Sequence, residues 1–307
     1  GFYMATIFYS GNQRTRAVEY YVTVATITVG QTITATINGK TETYTSTTAD
    51  EPTAAREAVT QFSLSLLAEL RNFTFSSPAD GIIYAVGPAD GAPVAITWGG
   101  TASSLTGTSA SVTALSPADV SDDANYVGGA KPVNGDTLVV ENFAGDLKYG
   151  LSQFTSNTVT LVRRASHTGQ VGLSDTNPLG YPEYLPTHFE TAATTLTVED
   201  GGQGFVRVKS TAGTPVTATV TGATPGTLGG ENVEFYGFPA SSVLNINGGG
   251  VAFCPLTAQT GTAATVRCAN AALRVGSGGT LGTANVQSSQ ALVDGPVTTY
   301  TQDRGTT

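Results

Sequence analysis

The sequence is poor in charge and in reactive side chains. Of its 307 residues only 12% are charged, the net charge is −9, and there are two cysteines and two histidines. Nonspecific binding to nucleic acid needs clustered lysine and arginine, and the longest basic run here is the pair Arg163–Arg164. Two cysteines and two histidines without paired spacing disfavour a zinc site. No apolar run reaches the roughly 18 residues of a membrane-spanning helix, so neither nucleic acid nor membrane is an expected partner.

What the sequence does contain is typical of a protein that is mainly β. There are 37 glycines, and 40% of the residues are hydrophobic. Threonine and valine favour the pleated surface of a sheet, while glycine serves the turns between strands. Apolar residues recur in short runs, which disfavours a disordered chain. The composition therefore predicts many short strands.

The first part of the chain predicts a small α+β domain over residues 4–115. Two alternating strands flank Asn38–Gly39, a dipeptide that favours a tight hairpin because both residues accept positive φ. Residues 47–72 predict a helix, with Thr48 and Glu51 at capping-box spacing and Asp50 as the alternative N-cap. Its apolar positions are Ala55, Val59, Phe62, Leu66 and Leu70. Three further short strands follow the helix.

Residues 120–307 predict a second domain without helices. Short β-runs follow one another, and glycine or asparagine stands at almost every break. This rhythm favours a parallel β-solenoid, with a β-sandwich as the alternative fold. Cys254 and Cys268 lie in this part, and the sequence leaves open whether they form a disulfide or stay as buried thiols.

One segment carries a resemblance to a known pattern. Residues 121–136, SDDANYVGGAKPVNGD, resemble the motif D-x-A-N-W-x-x-G-x-x-P-x-x-G-D, which stands where right-handed β-helix regions begin in bacterial and phage proteins. Tyr126 replaces the usual tryptophan, and we expect it to lie over the open end of the first coil. The matching residues are Asp123, Ala124, Asn125, Gly128, Pro132, Gly135 and Asp136. The carboxylates are therefore expected to shape turns rather than to catalyse a reaction.

The resemblance extends over most of the chain. The segment TINGKTETYT (36–45) and the helix after it resemble a small domain of proteins from phage and prophage morphogenesis regions, as do LKYGLSQF (147–154), TGQVGL (168–173) and YPEYLPTHFE (181–190). The resemblance implies a structural component of a phage particle, such as a decoration, fibre or spike subunit. It also implies a homotrimer that contacts other virion proteins and is assembled in the host cytoplasm. No cofactor, metal ion or catalytic residue is expected.

The alternative function is a glycan-binding or glycan-degrading module. Candidate charged residues for such chemistry are Asp175, Glu183, Glu190, Glu199, Asp200 and Arg207. Glycoside hydrolysis needs two carboxyl groups about 5 to 10 Å apart, which a sequence does not show. Tyr181, Tyr184 and Phe189 form an aromatic segment stiffened by prolines. They are the candidate contacts to a partner or to a host-surface glycan, and the alternative is that the segment packs against the flank of its own solenoid. His167 and His188 are expected at turns or on the surface.

Overall fold

The computed structural model describes residues 4–102, 104–107 and 110–303. The last four residues of the predicted solenoid domain, 304–307, lie outside the described residues, as do residues 103, 108 and 109 of the predicted α+β domain. The chain divides into two compact units. The solenoid unit comprises Gly1–Asn12, Pro117–Asp175 and Leu185–Thr307, and the α+β unit comprises Gln13–Ser116 and Thr176–Tyr184.

The described residues form twenty-two strands, one α-helix and two short 3-10 helices. In chain order they are β1 (Thr6–Phe8), β2 (Glu19–Thr26), β3 (Thr32–Ile37), β4 (Lys40–Thr45), α1 (Glu51–Ser63), a 3-10 helix (Leu70–Asn72), β5 (Thr74–Ser76), β6 (Ile82–Val86), β7 (Thr97–Gly99), β8 (Ser104–Thr106), β9 (Ala110–Val112), a 3-10 helix (Asp123–Asn125), β10 (Thr137–Val140), β11 (Thr160–Arg163), β12 (Phe189–Thr191), β13 (Thr195–Asp200), β14 (Val206–Ser210), β15 (Thr217–Pro225), β16 (Val233–Tyr236), β17 (Ser242–Phe253), β18 (Gly261–Ala269), β19 (Ala272–Val275), β20 (Gly279–Gln287), β21 (Gln290–Val293) and β22 (Val297–Asp303).

The solenoid unit is a parallel β-solenoid of about seven turns. One sheet, which we call the long sheet, pairs β1, β10, β11, β13, β15, β17, β18, β20 and β22 in that order. A second, the short sheet, pairs β12, β14, β16, β17, β19 and β21. Every one of these pairings is parallel, whereas the strands of a β-sandwich are antiparallel. The predicted solenoid is therefore confirmed over the sandwich alternative, while its handedness stays a prediction.

The two sheets are joined through β17, which belongs to both. The strand bends at Gly248 and Gly249, whose φ angles are +81° and +76°. An L-residue with a side chain rarely adopts such angles, so the bend needs glycine. The chain thus passes from one sheet to the other without a break in pairing.

The core of the solenoid consists of apolar side chains stacked between neighbouring coils. Side chains alternate between the two faces of a strand, so every second residue points inward. Burying one such leucine or valine contributes roughly 1.5–3 kcal/mol. In the long sheet one buried row is Leu138, Leu161, Leu196, Ala218, Leu244, Val266 and Ala284. In the short sheet another is Val208, Phe235, Phe253 and Val275.

The α+β unit has two antiparallel sheets and the helix α1. One sheet has the order β5–β6–β2–β8 with β9 also paired to β2, and the other has the order β4–β3–β7. The predicted hairpin is confirmed, since β3 pairs with β4 and Asn38 and Gly39 have φ angles of +49° and +72°. On the helix Phe62 packs near Phe75 and Trp98, at ring-centroid distances of 5.6 and 6.1 Å.

The helix is shorter than predicted. Its N-cap is Asp50, whose carboxylate accepts a hydrogen bond from the Thr53 backbone N–H at 3.0 Å, so the alternative cap is the one formed. It ends at Ser63, and the Ser65 hydroxyl then donates to the Glu42 carboxylate at 2.6 Å. Because the chain has left the helix, Leu66 is 82% exposed, and its predicted place on the apolar stripe is wrong.

The structure also corrects the predicted domain boundaries at two places. The predicted α+β domain begins at residue 4, but β1 pairs with β10 of the long sheet, with Thr6 opposite Thr137. Residues Thr176–Tyr184 were predicted within the solenoid domain, and they belong to the α+β unit. Both segments contact residues far away in the sequence, β1 by strand pairing and Thr176–Tyr184 by side-chain hydrogen bonds to Arg71 and Asn72, and such contacts leave no local pattern.

Candidate functional site

The segment that begins the solenoid acts through its turns and hydrogen bonds. Asn125 is fully buried, and its side-chain amide donates to the Asp119 carbonyl at 2.8 Å. Asp136 accepts the backbone N–H groups of Ala5 and Val133, both at 2.9 Å, and thereby ties β1 to the start of β10. Asp123 accepts the Lys131 backbone N–H at 3.0 Å, and this bond lowers the pKa of that carboxyl.

The other motif residues support the same turns. Gly128 and Gly135 have φ angles of +90° and +93°, and Pro132 is buried between them. Each of the motif's two carboxylates described here thus holds a backbone N–H group of a turn. This is the chemistry expected of residues that shape the chain.

Tyr126 is part of the solenoid core. It is only 2% exposed, and its hydroxyl donates to the Val120 carbonyl at 2.6 Å. Its ring meets that of Tyr9 edge to face, with the centroids 5.2 Å apart. Burial raises the pKa of both hydroxyls. Tyr9, which follows β1, and Tyr126 thus pack together in the solenoid core. That Tyr126 covers the open end of the first coil stays a prediction.

The three predicted aromatic contacts are divided between the two units. Phe189 is fully buried in the solenoid core, with its ring centroid 5.6 Å from that of Phe154. For this residue the predicted contact with a partner or glycan is wrong, and packing against its own solenoid is what the structure shows. Tyr181 and Tyr184 lie in the α+β unit, where Arg71 and Asn72 donate to their hydroxyls at 2.9 and 3.0 Å. For these two residues, contact with a glycan stays a prediction.

Both histidines are buried, which contradicts the expectation of surface positions. His167 does stand at a turn, since its backbone N–H donates to the Arg164 carbonyl at 3.0 Å. Arg163 Nε donates to His167 Nδ1 at 3.3 Å, and His167 Nε2 lies 2.9 Å from the Gly145 carbonyl. Since arginine only donates and a carbonyl only accepts, the proton of the neutral ring is on Nε2. Burial lowers the pKa of His167. The ring also stacks on Phe143, with an interplanar angle of 7°.

His188 belongs to a network of ionisable groups on the short sheet. Its Nε2 lies 2.7 Å from Glu234 Oε1, and Gln259 donates to the same oxygen at 2.6 Å. Arg207 approaches Glu234 Oε2 at 3.3 Å and binds both oxygens of Asp175 at 2.8 and 3.0 Å. Burial favours a higher pKa for Glu234, but the hydrogen bonds from His188 and Gln259 outweigh it, and the net pKa is lowered.

The remaining candidate acids are distributed over several places. Glu190 binds Lys209 at 2.7 Å, and Glu199 binds Arg164 at 2.7 Å. Asp200 accepts the backbone N–H groups of Gly202 and Gly250, at 2.9 and 3.2 Å. Glu183 lies in the α+β unit. Glu190, Glu199 and Asp200 therefore join different coils of the solenoid, and the sequence pattern does not indicate which acid meets which cation or N–H group.

Both cysteines are unpaired thiols in the solenoid unit. Cys254 and Cys268 are free and buried, and burial raises the pKa of the Cys254 thiol to about 12. Within the part of the chain that the structure describes, no group of three or more histidine, cysteine, aspartate or glutamate side chains could hold a metal ion.

The outer face of the long sheet contains a recess that sequence reasoning missed. It has a volume of about 510 Å³ and crosses β15, β17, β18 and β20. Backbone register places Thr219, Asn245, Arg267 and Asn285 side by side on successive strands, and Asn247 and Gln287 lie two residues further along. We call this recess the amide groove. Its lining residues are Thr219, Val220, Asn245, Ile246, Asn247, Arg267, Cys268, Ala269, Asn285 and Gln287.

In the sequence, the only sign of the groove is the alternation of polar and apolar residues along its strands. Thr219, Asn245 and Asn285 each stand between buried apolar residues of their own strand. Alternation predicts an outward polar face, but only the register between strands shows that these side chains form one row.

No protein-family model, curated protein or solved structure was found to match this chain. None of the helices in the described ranges is both long enough and apolar enough to cross a membrane.

Proposed function

We propose that the chain is a structural subunit of a phage particle, of the decoration, fibre or spike kind, and that it acts through assembly with other virion proteins. The sequence resemblance of the segment 121–136 supports this function. The structural support is one observation. Parallel strand pairing ties each coil of the solenoid to the next, and ion pairs add to it between several of the coils.

The ion pairs show this tie most directly. Arg207 of β14 binds Asp175 before β12 and Glu234 of β16, so a single guanidinium joins three successive segments. Lys209 of β14 binds Glu190 of β12, and Arg164 after β11 binds Glu199 of β13. Together with the continuous core, these contacts make a stiff rod, because each coil is held by its neighbours on both sides. A stiff rod suits a subunit that projects from a particle or packs along its surface.

The quaternary state is the first test. Solenoid spikes bury their ends and flanks by threefold association, and closed symmetry is the rule for soluble oligomers, so we expect a homotrimer. Native mass spectrometry and light scattering on the purified chain measure it. Co-sedimentation with any capsid, portal or tail proteins whose genes lie beside its own measures the second part of the proposal. A monomer that binds none of these proteins would contradict this function.

A glycan-binding module is the second candidate function, and the amide groove is the observation that favours it. Amide and hydroxyl side chains provide both the donors and the acceptors that sugar hydroxyl groups need. A glycan array probed with the purified chain tests this function, whatever its oligomeric state.

A further inference from the structure

The spacing of the amide groove suits an extended, repeating ligand. Neighbouring strands lie about 4.8 Å apart, which is close to the length of one pyranose unit in an extended chain. Thr219, Asn245, Arg267 and Asn285 occupy four neighbouring strands at one register position. A linear chain laid across the strands would therefore meet one polar side chain at each unit.

Six of the ten residues that line the groove have polar side chains, and one of these six is charged. Among the lining residues, all of them in the described part of the chain, Arg267 alone is charged, although the chain as a whole has a net charge of −9. Acidic residues lie along the neighbouring row of the sheet, in which Glu199, Thr221 and Asn247 stand side by side on successive strands. The carboxylate of Glu199 is already paired, since it binds Arg164 at 2.7 Å. Asp303 lies beside Gln287 at the far end of the same row. A positive charge therefore stands in the middle of the groove.

Arg267 is held ready to bind an anion. Its Nη1 donates to Asn245 Oδ1 at 3.1 Å, which orients the guanidinium on the exposed face of β18. This is the one hydrogen bond of its side chain within the described residues. A guanidinium presents five N–H donors in a planar fork that matches a carboxylate, so donors remain for a ligand.

We propose that the amide groove binds an extended glycan that carries carboxylate groups, an inference that rests on the second candidate function. Arg267 pairs with a carboxylate of the glycan. Asn245, Asn285 and Gln287 bind hydroxyl groups of the neighbouring sugar units. The specificity for an acidic chain comes from Arg267, because the amide and hydroxyl side chains serve neutral sugars equally well.

The test compares acidic and neutral sugars of the same length. Titration calorimetry is performed with β-1,4-linked mannuronate and α-1,4-linked galacturonate oligomers and with any acidic oligosaccharide bound on the array. Each is paired with its neutral counterpart, in which the carboxylate is reduced to an alcohol. We expect the acidic member of a pair to bind at least about tenfold more tightly, because charge-assisted hydrogen bonds are roughly twice as strong as neutral ones.

The variants identify the residue responsible. Arg267→Gln removes the charge while keeping an amide beside Asn245, and we expect it to weaken acidic binding about tenfold and to leave neutral binding unchanged. Lys40→Gln is the matched control, because it removes one positive charge from an exposed strand of the α+β unit. Circular dichroism shows whether both variants fold.

The outcomes distinguish glycan binding as such from specificity for carboxylate-bearing glycans. Equal binding of acidic and neutral members, unaffected by Arg267→Gln, would overturn the carboxylate specificity and leave glycan binding standing. No binding by any array glycan would overturn both. Equal losses in Arg267→Gln and Lys40→Gln would assign the effect to net charge and overturn the role of the groove.

Discussion

Arg163 is the largest fully buried side chain among the described residues, although arginine is rarely found inside proteins. Its guanidinium donates to the carbonyl oxygens of His167, Gln203 and Glu199, at 2.6, 2.8 and 2.6 Å. Burial lowers its pKa, and the nearby carboxylates Asp200 and Glu199 partly oppose that shift. The carbonyls of His167 and Gln203 belong to turns of two different coils, and one side chain thereby satisfies both.

Replacement of Arg163 by methionine is expected to destabilise the solenoid strongly. Methionine fills similar space but leaves three carbonyl groups and His167 Nδ1 without a donor, so we expect a loss of about 3 kcal/mol or more. Urea unfolding followed by circular dichroism measures it. Arg164→Met is the matched control, because that neighbouring residue forms an exposed ion pair worth up to about 1 kcal/mol. Similar losses in both variants would contradict the role of Arg163.

At the residue scale the sequence predicted turns better than buried partners. Asn38–Gly39 and Gly135 were recognised because positive φ has a local chemical requirement. The sequence left the burial of Phe189 open, because an aromatic residue just after a segment with two prolines looks the same on a surface loop and at the start of a core strand. The bond between Arg163 and His167 was missed because a buried arginine has no distinct pattern in the sequence.

At the element scale β17 is the strand on which the two solenoid sheets depend. Its twelve residues include the bend at Gly248 and Gly249 and pair on both sides of it. A Cβ atom on Gly248 would lie 2.1 Å from the Gly222 carbonyl oxygen of the neighbouring coil. The bend therefore depends on glycine for two reasons, its positive φ and the close approach of another backbone.

Gly248→Ala is expected to disrupt the stacking at this bend. The clash with the Gly222 carbonyl cannot be relieved by turning a side chain, so we expect a loss of about 3 kcal/mol or more. The control is Gly229→Ala, where φ is +87° but no atom lies within 4 Å of the added Cβ. Strain alone should reduce the stability there by about 1–2 kcal/mol. Urea unfolding of both variants gives the comparison, and equal losses would show that the coils can separate locally without penalty.

The elements that the sequence shows are those with a local run of β-favouring residues. The runs TLVVEN (137–142), GFVRVKS (204–210) and NVEFYG (232–237) predict strands, and β10, β14 and β16 lie within them. β1 was missed because three residues carry little pattern, and its partner lies about 130 residues later. The end of α1 was placed too late because Leu66 and Leu70 continue the helical spacing after the helix has ended at Ser63.

At the scale of the whole molecule, the fold class was predictable and the groove was not. Glycine-punctuated strands and the segment 121–136 indicated a solenoid, since both concern residues close together in the sequence. The amide groove depends on register, because Asn245, Arg267 and Asn285 lie about 20 residues apart in the chain yet side by side in the sheet. A shift of register by one residue would turn those side chains into the core. The candidate site is therefore a property of the stacked coils together.

The response of the whole molecule to acid follows from groups whose pKa the fold lowers. Burial lowers the pKa of His167. The Ala165 backbone N–H lowers that of Glu199. In Glu234 hydrogen bonds from His188 and Gln259 outweigh burial. In each case the unfolded chain binds protons at a higher pH than the folded chain does. Stability therefore falls as the pH drops, first below about 6.5 through His167 and then below about 4.3 through the glutamates.

The histidine part of this response can be isolated with His167→Gln. In the wild-type chain the neutral, buried His167 should reduce the free energy of unfolding by up to about 1.4 kcal/mol between pH 7.5 and pH 5.5, because the unfolded histidine gains a proton. The variant lacks this group but keeps His188, so the difference between the two proteins belongs to His167. Urea unfolding at both pH values measures it, and the stability difference between wild type and variant should shrink on acidification. An equal loss of unfolding free energy in the two proteins would contradict this prediction. It would mean that His167 takes up a proton in the folded chain, although its Nδ1 accepts a hydrogen bond from Arg163 and so has no room for one.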